Sequence, residues 1–158
     1  FSASFLGFVW VGLLLYAPAS KAQAYLTPPV TDEDIKPVLA YIEEHWQPND
    51  FIYVFQKSQF QFEFYREQFG FGADDYVVSV DPDAYVETNF RRVKQLYRQD
   101  LRQLCGRDRL WVLISDLEIR PQTAFMLTYL DRLGDRRETF EVKPLASLTH
   151  RYDLSTCP

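Results

Sequence analysis

The sequence predicts an α/β fold, a three-layer αβα sandwich with a mostly parallel sheet and a C-terminal hairpin, preceded by one transmembrane helix. Three observations predict it. Short apolar runs of strand-forming residues alternate with amphipathic helical patterns, as in parallel sheets that helices cover on both faces. Two further strand patterns follow the last helix. The first 20 residues carry no charged side chain.

The apolar start predicts a membrane segment over residues 1–18, then a linker over 19–30 and an extracytoplasmic α/β domain over 31–158. The segment is the last span of a larger protein or a signal peptide; a buried helix of a soluble domain is a third alternative. As a span of about 17 residues it covers about 25 Å of a ~30 Å hydrocarbon core, so we expect preceding residues to extend it.

Signal peptides carry a basic region before the apolar run, and none precedes this one, although Ala22-Gln23-Ala24 resembles a cleavage site. The only methionine is Met126, so we expect residue 1 to be an internal position of a longer product. Both the span and the signal peptide predict that the domain faces outward, because the stretch after the apolar run is acidic rather than rich in Lys and Arg.

Two cysteines, Cys105 and Cys157, suit an outward-facing compartment, either as a disulfide or as two unpaired thiols. If they are bridged, the bond closes a loop of about 52 residues, worth roughly 4 kcal/mol in the chain-entropy treatment.

The first half of the domain predicts a helix, a strand and a second helix. Apolar residues at helical spacing from Ile35 to Trp46 follow a capping-box pattern at Thr31 and Asp34. Residues 51–55 form an unbroken apolar strand pattern. Residues 58–71 alternate as a strand would, but Phe60, Phe64 and Tyr65 also share one helical face, and we favour a helix.

The second half predicts a strand over 75–81, a helix from Asn89 to Gly106, a strand over 109–115 and a helix from Pro121 to Gly134. The closing hairpin is expected over 139–143 and 147–154. Right-handed crossovers place the strand at 51–55 centrally in the sheet.

The chemistry-bearing residues point to a pocket rather than to a cofactor. The turn after the first strand lacks the glycines that nucleotide phosphates need, and His45 and His150 stand outside any metal-ligand spacing. We therefore expect no cofactor and no metal. The default ligand site lies beyond the carboxyl ends of the strands. Its candidate residues are Gln56, Lys57, Ser58, Ser115, Asp116 and Glu118, although Lys57 facing Asp116 or Glu118 is also explained by an ordinary ion pair.

A basic helix stands out in a chain of net charge −5. Lys94, Arg98 and Arg102 lie four residues apart, and the spacing predicts a stripe opposite the apolar face that contacts lipid phosphate. The alternative is a solvated face neutralised by Asp100 and Asp108. We expect no nucleic-acid partner, because the domain faces outward and the net charge is negative.

Four stretches carry a resemblance to a known family: "EDIKPVLAYIEEHWQPNDFIYVF", "RLWVLISDLE", "LTYLDRLGDRRETFEV" and "HRYDLS". Together they resemble the soluble tail of bacterial polytopic membrane proteins of the GT-C glycosyltransferases, related to dolichyl-phosphate-mannose–protein mannosyltransferases and aminoarabinose transferases. The resemblance implies transfer of a sugar from a polyprenyl-phosphate donor by the parent protein. Its catalytic acid would lie upstream of this chain. The sequence departs from the family at Gln56-Lys57-Ser58, where relatives have a turn with tyrosine and glycine.

The expected function is therefore that of a non-catalytic extracytoplasmic domain of such a membrane protein. Its expected partners are the membrane, the upstream membrane region of the same protein and a lipid-linked sugar. The main alternative is a secreted or periplasmic α/β binding module released from a signal peptide. A domain that only stabilises a membrane assembly is the third.

Overall fold

A computed structural model describes residues 34–81, 90–115, 121–142 and 147–157. These residues belong to one unit, Asp32–Pro158. The predicted membrane segment, the linker and the Thr31 cap lie outside the described residues. Among the helices in these ranges, none combines the length and the hydropathy needed to cross a membrane.

Five strands form one mixed sheet in the order β2-β1-β3-β5-β4. They are β1 (Phe51–Val54), β2 (Tyr76–Val78), β3 (Leu110–Ile114), β4 (Asp135–Val142) and β5 (Ser147–Asp153). β1 pairs in parallel with β2 and β3, whereas β5 is antiparallel to both β3 and β4.

The prediction of a mostly parallel sheet is therefore wrong in its proportions, because the two kinds of pairing are equally frequent and the antiparallel ladders are longer. The hairpin strands β4 and β5 have 8 and 7 residues, whereas the strands with parallel pairing have 4, 3 and 5. The strand at 51–55 is the middle one of the three parallel strands, but β3 lies at the centre of the whole sheet.

Four α-helices lie in the described ranges: α1 (Lys36–Glu44), α2 (Gln59–Tyr65), α3 (Phe90–Arg102) and α4 (Pro121–Leu133). Short 3₁₀ turns, Gln56–Ser58 and Arg66–Phe69, flank α2, so the helical prediction for 58–71 is confirmed with interruptions. The helices predicted from Ile35, Asn89 and Pro121 are confirmed within a few residues at their ends.

Apolar clusters cover both faces of the sheet. α1 and α2 pack on the face that Ile52 and Trp111 share, and α3 and α4 pack on the face that Tyr53 and Val112 share. Successive residues of a strand point to opposite faces, so β1 and β3 contribute to both clusters. This is why their sequences read as unbroken apolar runs.

The helix α2 buries a different face from the one that its apolar residues suggest. Phe62 is fully buried, whereas Phe60 and Phe64 are 83% and 78% exposed. Phe60 and Phe64 do share one helical face, as the sequence indicates, but that face points away from the core.

The tail after β5 is fastened to the end of α3. Cys105 and Cys157 form a disulfide bond, so the alternative of two unpaired thiols does not describe this structure. The Gly106 amide donates to the Leu154 carbonyl at 2.9 Å, and the Leu154 amide donates to the Arg107 carbonyl at 2.7 Å. Gly106, in the turn after α3, has a φ of +92°, a conformation that glycine adopts without strain.

Candidate anion-binding surface and sheet-edge pockets

Three basic residues lie on successive turns of α3: Lys94, Arg98 and Arg102. We call them the cation column. The expectation that this stripe lies opposite the apolar face is wrong, because the column runs along the seam with α4. Lys94 Nζ lies 5.6 Å and Arg98 Cζ 5.5 Å from the centre of the Phe125 ring.

The cation column contacts aromatic side chains of α3 and α4. Lys94 Nζ also lies 4.5 Å from the Phe90 ring centre, and Arg98 Cζ lies 6.0 Å from that of Tyr129. Arg102 Nε donates a hydrogen bond to the Tyr129 hydroxyl at 3.0 Å. In cation–π contacts of this kind the cation lies over the face of a ring, and the N–H groups that point away from the ring remain directed to solvent.

Within the described ranges, no carboxylate pairs with the cation column. The described arginines of the hairpin strands, by contrast, each pair with a carboxylate: Arg136, Arg137 and Arg151. A charged donor group that lacks an anionic partner and rests on rings is suited to bind an external anion. The column is therefore the best candidate binding surface of the described part.

Asp100, the acid expected to neutralise the column, points inward instead. Its carboxylate accepts hydrogen bonds from the Tyr53 hydroxyl at 2.6 Å and from the Val80 amide at 3.1 Å. Burial, and then the nearby Asp100 charge, raise the pKa of Tyr53 well above its usual range. Asp100 therefore does not neutralise the basic face, and for this side chain the alternative interpretation is wrong.

The pocket predicted at the carboxyl edge of the sheet, where β1, β2 and β3 end, is only partly assembled. Ser58 and Ser115 do come together, because the Ser58 hydroxyl accepts from the Ser115 amide at 2.7 Å and lies 3.0 Å from its hydroxyl. Both side chains are buried, so their hydrogen bonds join the loops after β1 and β3 rather than line a cavity. Asp116 and Glu118 lie outside the described residues.

Gln56 and Lys57 line a notch at this edge of about 180 Å³, together with Gln59, Phe60 and Asp81. The volume is below the range of about 300–1,000 Å³ typical of ligand pockets. The amide of Gln56 donates to Ser79 Oγ at 2.9 Å, which fixes the loop after β1 against the end of β2. The notch suits one small group rather than a cofactor.

A larger cleft of about 310 Å³ lies at the opposite, amino edge, where the parallel strands begin. Its lining residues are Glu44, His45, Trp46, Gln47, Arg109, Glu138 and Arg151. Three of its charged groups already have partners, because Glu138 and Arg151 pair with each other and Arg109 pairs with Asp50. Arg151 Nε donates to Glu138 at 3.0 Å, and hydrogen bonds from Tyr41 and then Arg151 lower the pKa of Glu138. Sequence reasoning missed this cleft, because its residues come from four separate segments.

The two histidines have separate surroundings. His45 caps α1, with Nδ1 2.8 Å from the Tyr41 carbonyl, and it is exposed. His150 is buried on β5, and burial followed by the charge of Arg136 lowers its pKa to about 4. Within the ranges that the structure describes, no three side chains of His, Cys, Asp or Glu form a group able to hold a metal ion.

Comparison with known proteins adds no relative. The chain matches no known family, no curated protein and no solved structure.

Proposed function

We propose that this chain is the non-catalytic extracytoplasmic domain of an integral membrane glycosyltransferase-like protein that uses a polyprenyl-phosphate sugar donor. The cation column contacts the phosphate of a lipid. The observation that carries the proposal is the column itself: Lys94 and Arg98 lie over aromatic rings, Arg102 donates to the Tyr129 hydroxyl, and none has a carboxylate partner in the described part of the chain.

The charge balance of the chain supports a local anion contact. The net charge is −5, yet seven basic residues and two acids lie between Arg91 and Arg109. Basic groups near a membrane surface each contribute about 1 kcal/mol of attraction to anionic lipid. Over eight residues of helix the column is about 12 Å long, which one or two lipid headgroups match.

The disulfide supports the extracytoplasmic location. Bonds such as that between Cys105 and Cys157 persist in oxidising compartments and are rare in the cytosol. The acidic stretch after the apolar run favours the same side of the membrane. The membrane location itself is supported by the uncharged residues 1–20.

The described carboxylates support an accessory role. Three that are shielded from solvent each accept hydrogen bonds from structural partners: Asp50 from Trp111 Nε1 at 2.8 Å, Asp100 from Tyr53, and Glu138 from Arg151. A general base needs a carboxylate that reaches the substrate. The glycosyltransferase identity of the parent protein rests on the sequence resemblance.

Membrane attachment is tested on the native protein with an antibody against residues 34–157 after alkaline extraction of membranes. A band much larger than 158 residues that stays in the membrane pellet supports the proposal. A soluble band that begins near Tyr25 contradicts it and favours the alternative, a secreted or periplasmic binding module cleaved after Ala24.

Phosphate binding is tested separately with farnesyl phosphate, a short polyprenyl phosphate, added to the full chain in neutral detergent micelles. Broadening of the ³¹P resonance reports binding. The variant K94Q/R98Q/R102Q is expected to bind about 100-fold more weakly, since three cations at about 1 kcal/mol each are removed. The variant R66Q/R132Q/R137Q removes the same charge elsewhere and is expected to bind like the wild type. Equal affinities for the two variants would contradict the assignment.

A further inference from the structure

The most exposed apolar side chains of the described part are two phenylalanines on α2. Phe60 and Phe64 are 83% and 78% exposed, although α2 is anchored to the core by the fully buried Phe62 on its other side. They lie four residues apart, so they form one outward ridge of the helix. The Phe64 ring packs at right angles on that of Tyr65, with ring centres 4.8 Å apart.

The topology places the start of α2 at the carboxyl edge of the sheet. α2 follows β1, whose carboxyl end lies beside those of β2 and β3. Phe60 lines the notch at that edge with Lys57 and with Asp81, which follows β2. The helix α3 also follows β2, so we place its first residues, including the 40% exposed Phe90, near the same edge.

The chain enters the domain at this edge too. Ser147 Oγ donates a hydrogen bond to the Asp34 carbonyl at 3.0 Å. Ser147 begins β5, and the next residue, Leu148, pairs with Ile114 at the carboxyl end of β3. Asp34, the first described residue, therefore lies at the carboxyl edge.

Asp34, where the described chain begins, also lies near the ridge formed by Phe60 and Phe64. Lys36, two residues after Asp34, holds its Nζ 5.5 Å from the centre of the Tyr65 ring, and Tyr65 contacts Phe64. If the uncharged segment lies in a membrane, this corner of the domain carries the point of attachment. Exposed phenylalanines on a helix at that position match the apolar face by which interfacial helices enter the boundary between headgroups and acyl chains.

We propose that the domain docks on the bilayer through the carboxyl edge of its sheet, with Phe60 and Phe64 lying in the membrane interface. This inference rests on the proposed membrane attachment of the chain. Two rings cover far less than the roughly 1,200 Å² of a stable protein interface, which disfavours a protein partner. A bilayer to which the chain is already tethered needs no large contact area, because the tether keeps the ridge at high effective concentration.

Site-specific photo-crosslinking tests the proposal. A benzophenone amino acid replaces Phe60 or Phe64 in the full chain, reconstituted in vesicles of phosphatidylcholine and phosphatidylglycerol. Trp46, in the cleft at the amino edge, is replaced in the matched control. After irradiation, mass spectrometry is expected to find lipid adducts at positions 60 and 64 and none at position 46.

Other outcomes overturn the docking proposal in recognisable ways. Protein adducts at positions 60 and 64 would identify a protein-binding ridge. Equal lipid adducts at position 46, or none at 60 and 64, would exclude the proposed orientation. Alkaline extraction of the same samples separates the two proposals, since a chain that remains in the membrane without adducts at 60 and 64 contradicts docking alone. A chain released into the soluble fraction contradicts both.

Discussion

The basic residues of the hairpin side and those of the cation column have different partners: carboxylates in the first case and aromatic side chains in the second. At the amino edge, Arg109 forms an ion pair with the fully buried Asp50 carboxylate and also donates to the His45 carbonyl at 3.1 Å. On the hairpin, Arg136 Nη2 binds Asp131 at 2.8 Å. On α3, the cation column contacts rings instead of carboxylates in the described residues.

The difference shows that the neighbours of an arginine, rather than its exposure, decide its role. A guanidinium that a carboxylate already neutralises stabilises the fold and offers little to an external anion. A guanidinium on a ring keeps its charge and most of its donors. Four substitutions or titrations test this comparison, in order of decreasing expected effect.

Removing the acid of the buried pair is expected to have the largest effect. Asp50→Ala leaves Arg109 without its carboxylate and Trp111 Nε1 without its acceptor, so we expect a loss of about 3–5 kcal/mol in the free energy of unfolding. Guanidinium unfolding followed by tryptophan fluorescence measures it. Asp135→Ala, which opens the more exposed pair with Arg137, is expected to cost about 1 kcal/mol or less. Equal costs would contradict the distinction between the two pairs.

The hairpin side is expected to be sensitive to pH through His150. Its pKa is about 4 in the folded chain, below the usual value of about 6.5, so the unfolded chain binds the proton first. Stability is therefore lost as pH falls from about 6.5 to about 4, by about 2–3 kcal/mol. Thr139 Oγ1 lies 2.8 Å from His150 Nδ1, and His150→Gln keeps a polar group there. Unfolding curves measured at several pH values are expected to show a smaller decline for this variant.

A carboxylate placed beside the cation column is expected to form ion pairs with its arginines, as carboxylates do with the arginines of the hairpin. Tyr129→Glu puts an acid next to Arg98 and Arg102, which now contact the tyrosine. We expect about 10-fold weaker binding of farnesyl phosphate, because the new pair competes with the phosphate for both guanidinium groups. Tyr129→Gln, which has nearly the same size without the charge, is the control. Equal weakening by both variants would assign the effect to the lost ring.

Removing the column is expected to leave the fold almost unchanged. The variant K94Q/R98Q/R102Q breaks surface contacts with rings and no ion pair that the structure describes, so we expect a stability change within about 1 kcal/mol. Thermal unfolding monitored by circular dichroism measures it. A loss comparable with that of Asp50→Ala would show that the column is structural.

Periodicity in the sequence was sufficient to predict the α/β class, because β1 and β3 are buried on both faces and α3 has a regular apolar stripe. The placement of the hairpin beside β3 was not predictable from periodicity. It depends on pairing between strands that are distant in the chain, such as Leu110 with Tyr152.

The candidate site was predictable in composition but not in setting. The spacing of Lys94, Arg98 and Arg102 puts them on one side of α3, but the rings beneath them belong mostly to α4 and depend on how the helices pack. The same limit applies to Phe60 and Phe64, because spacing shows that two residues share a face and not which face is buried. The Ser58–Ser115 hydrogen bond likewise depends on loops that only the sheet brings together.

Chemical labelling of the full chain in vesicles tests the central claim most directly, because it compares the column with other cations of the same molecule. A dicarbonyl reagent reports Arg98 and Arg102 against Arg132 and Arg137. We predict that phosphatidylglycerol slows labelling of Arg98 and Arg102 relative to vesicles of phosphatidylcholine alone, while Arg132 and Arg137 label equally in both. Equal labelling of the column in the two kinds of vesicle would contradict the claim that it contacts lipid phosphate.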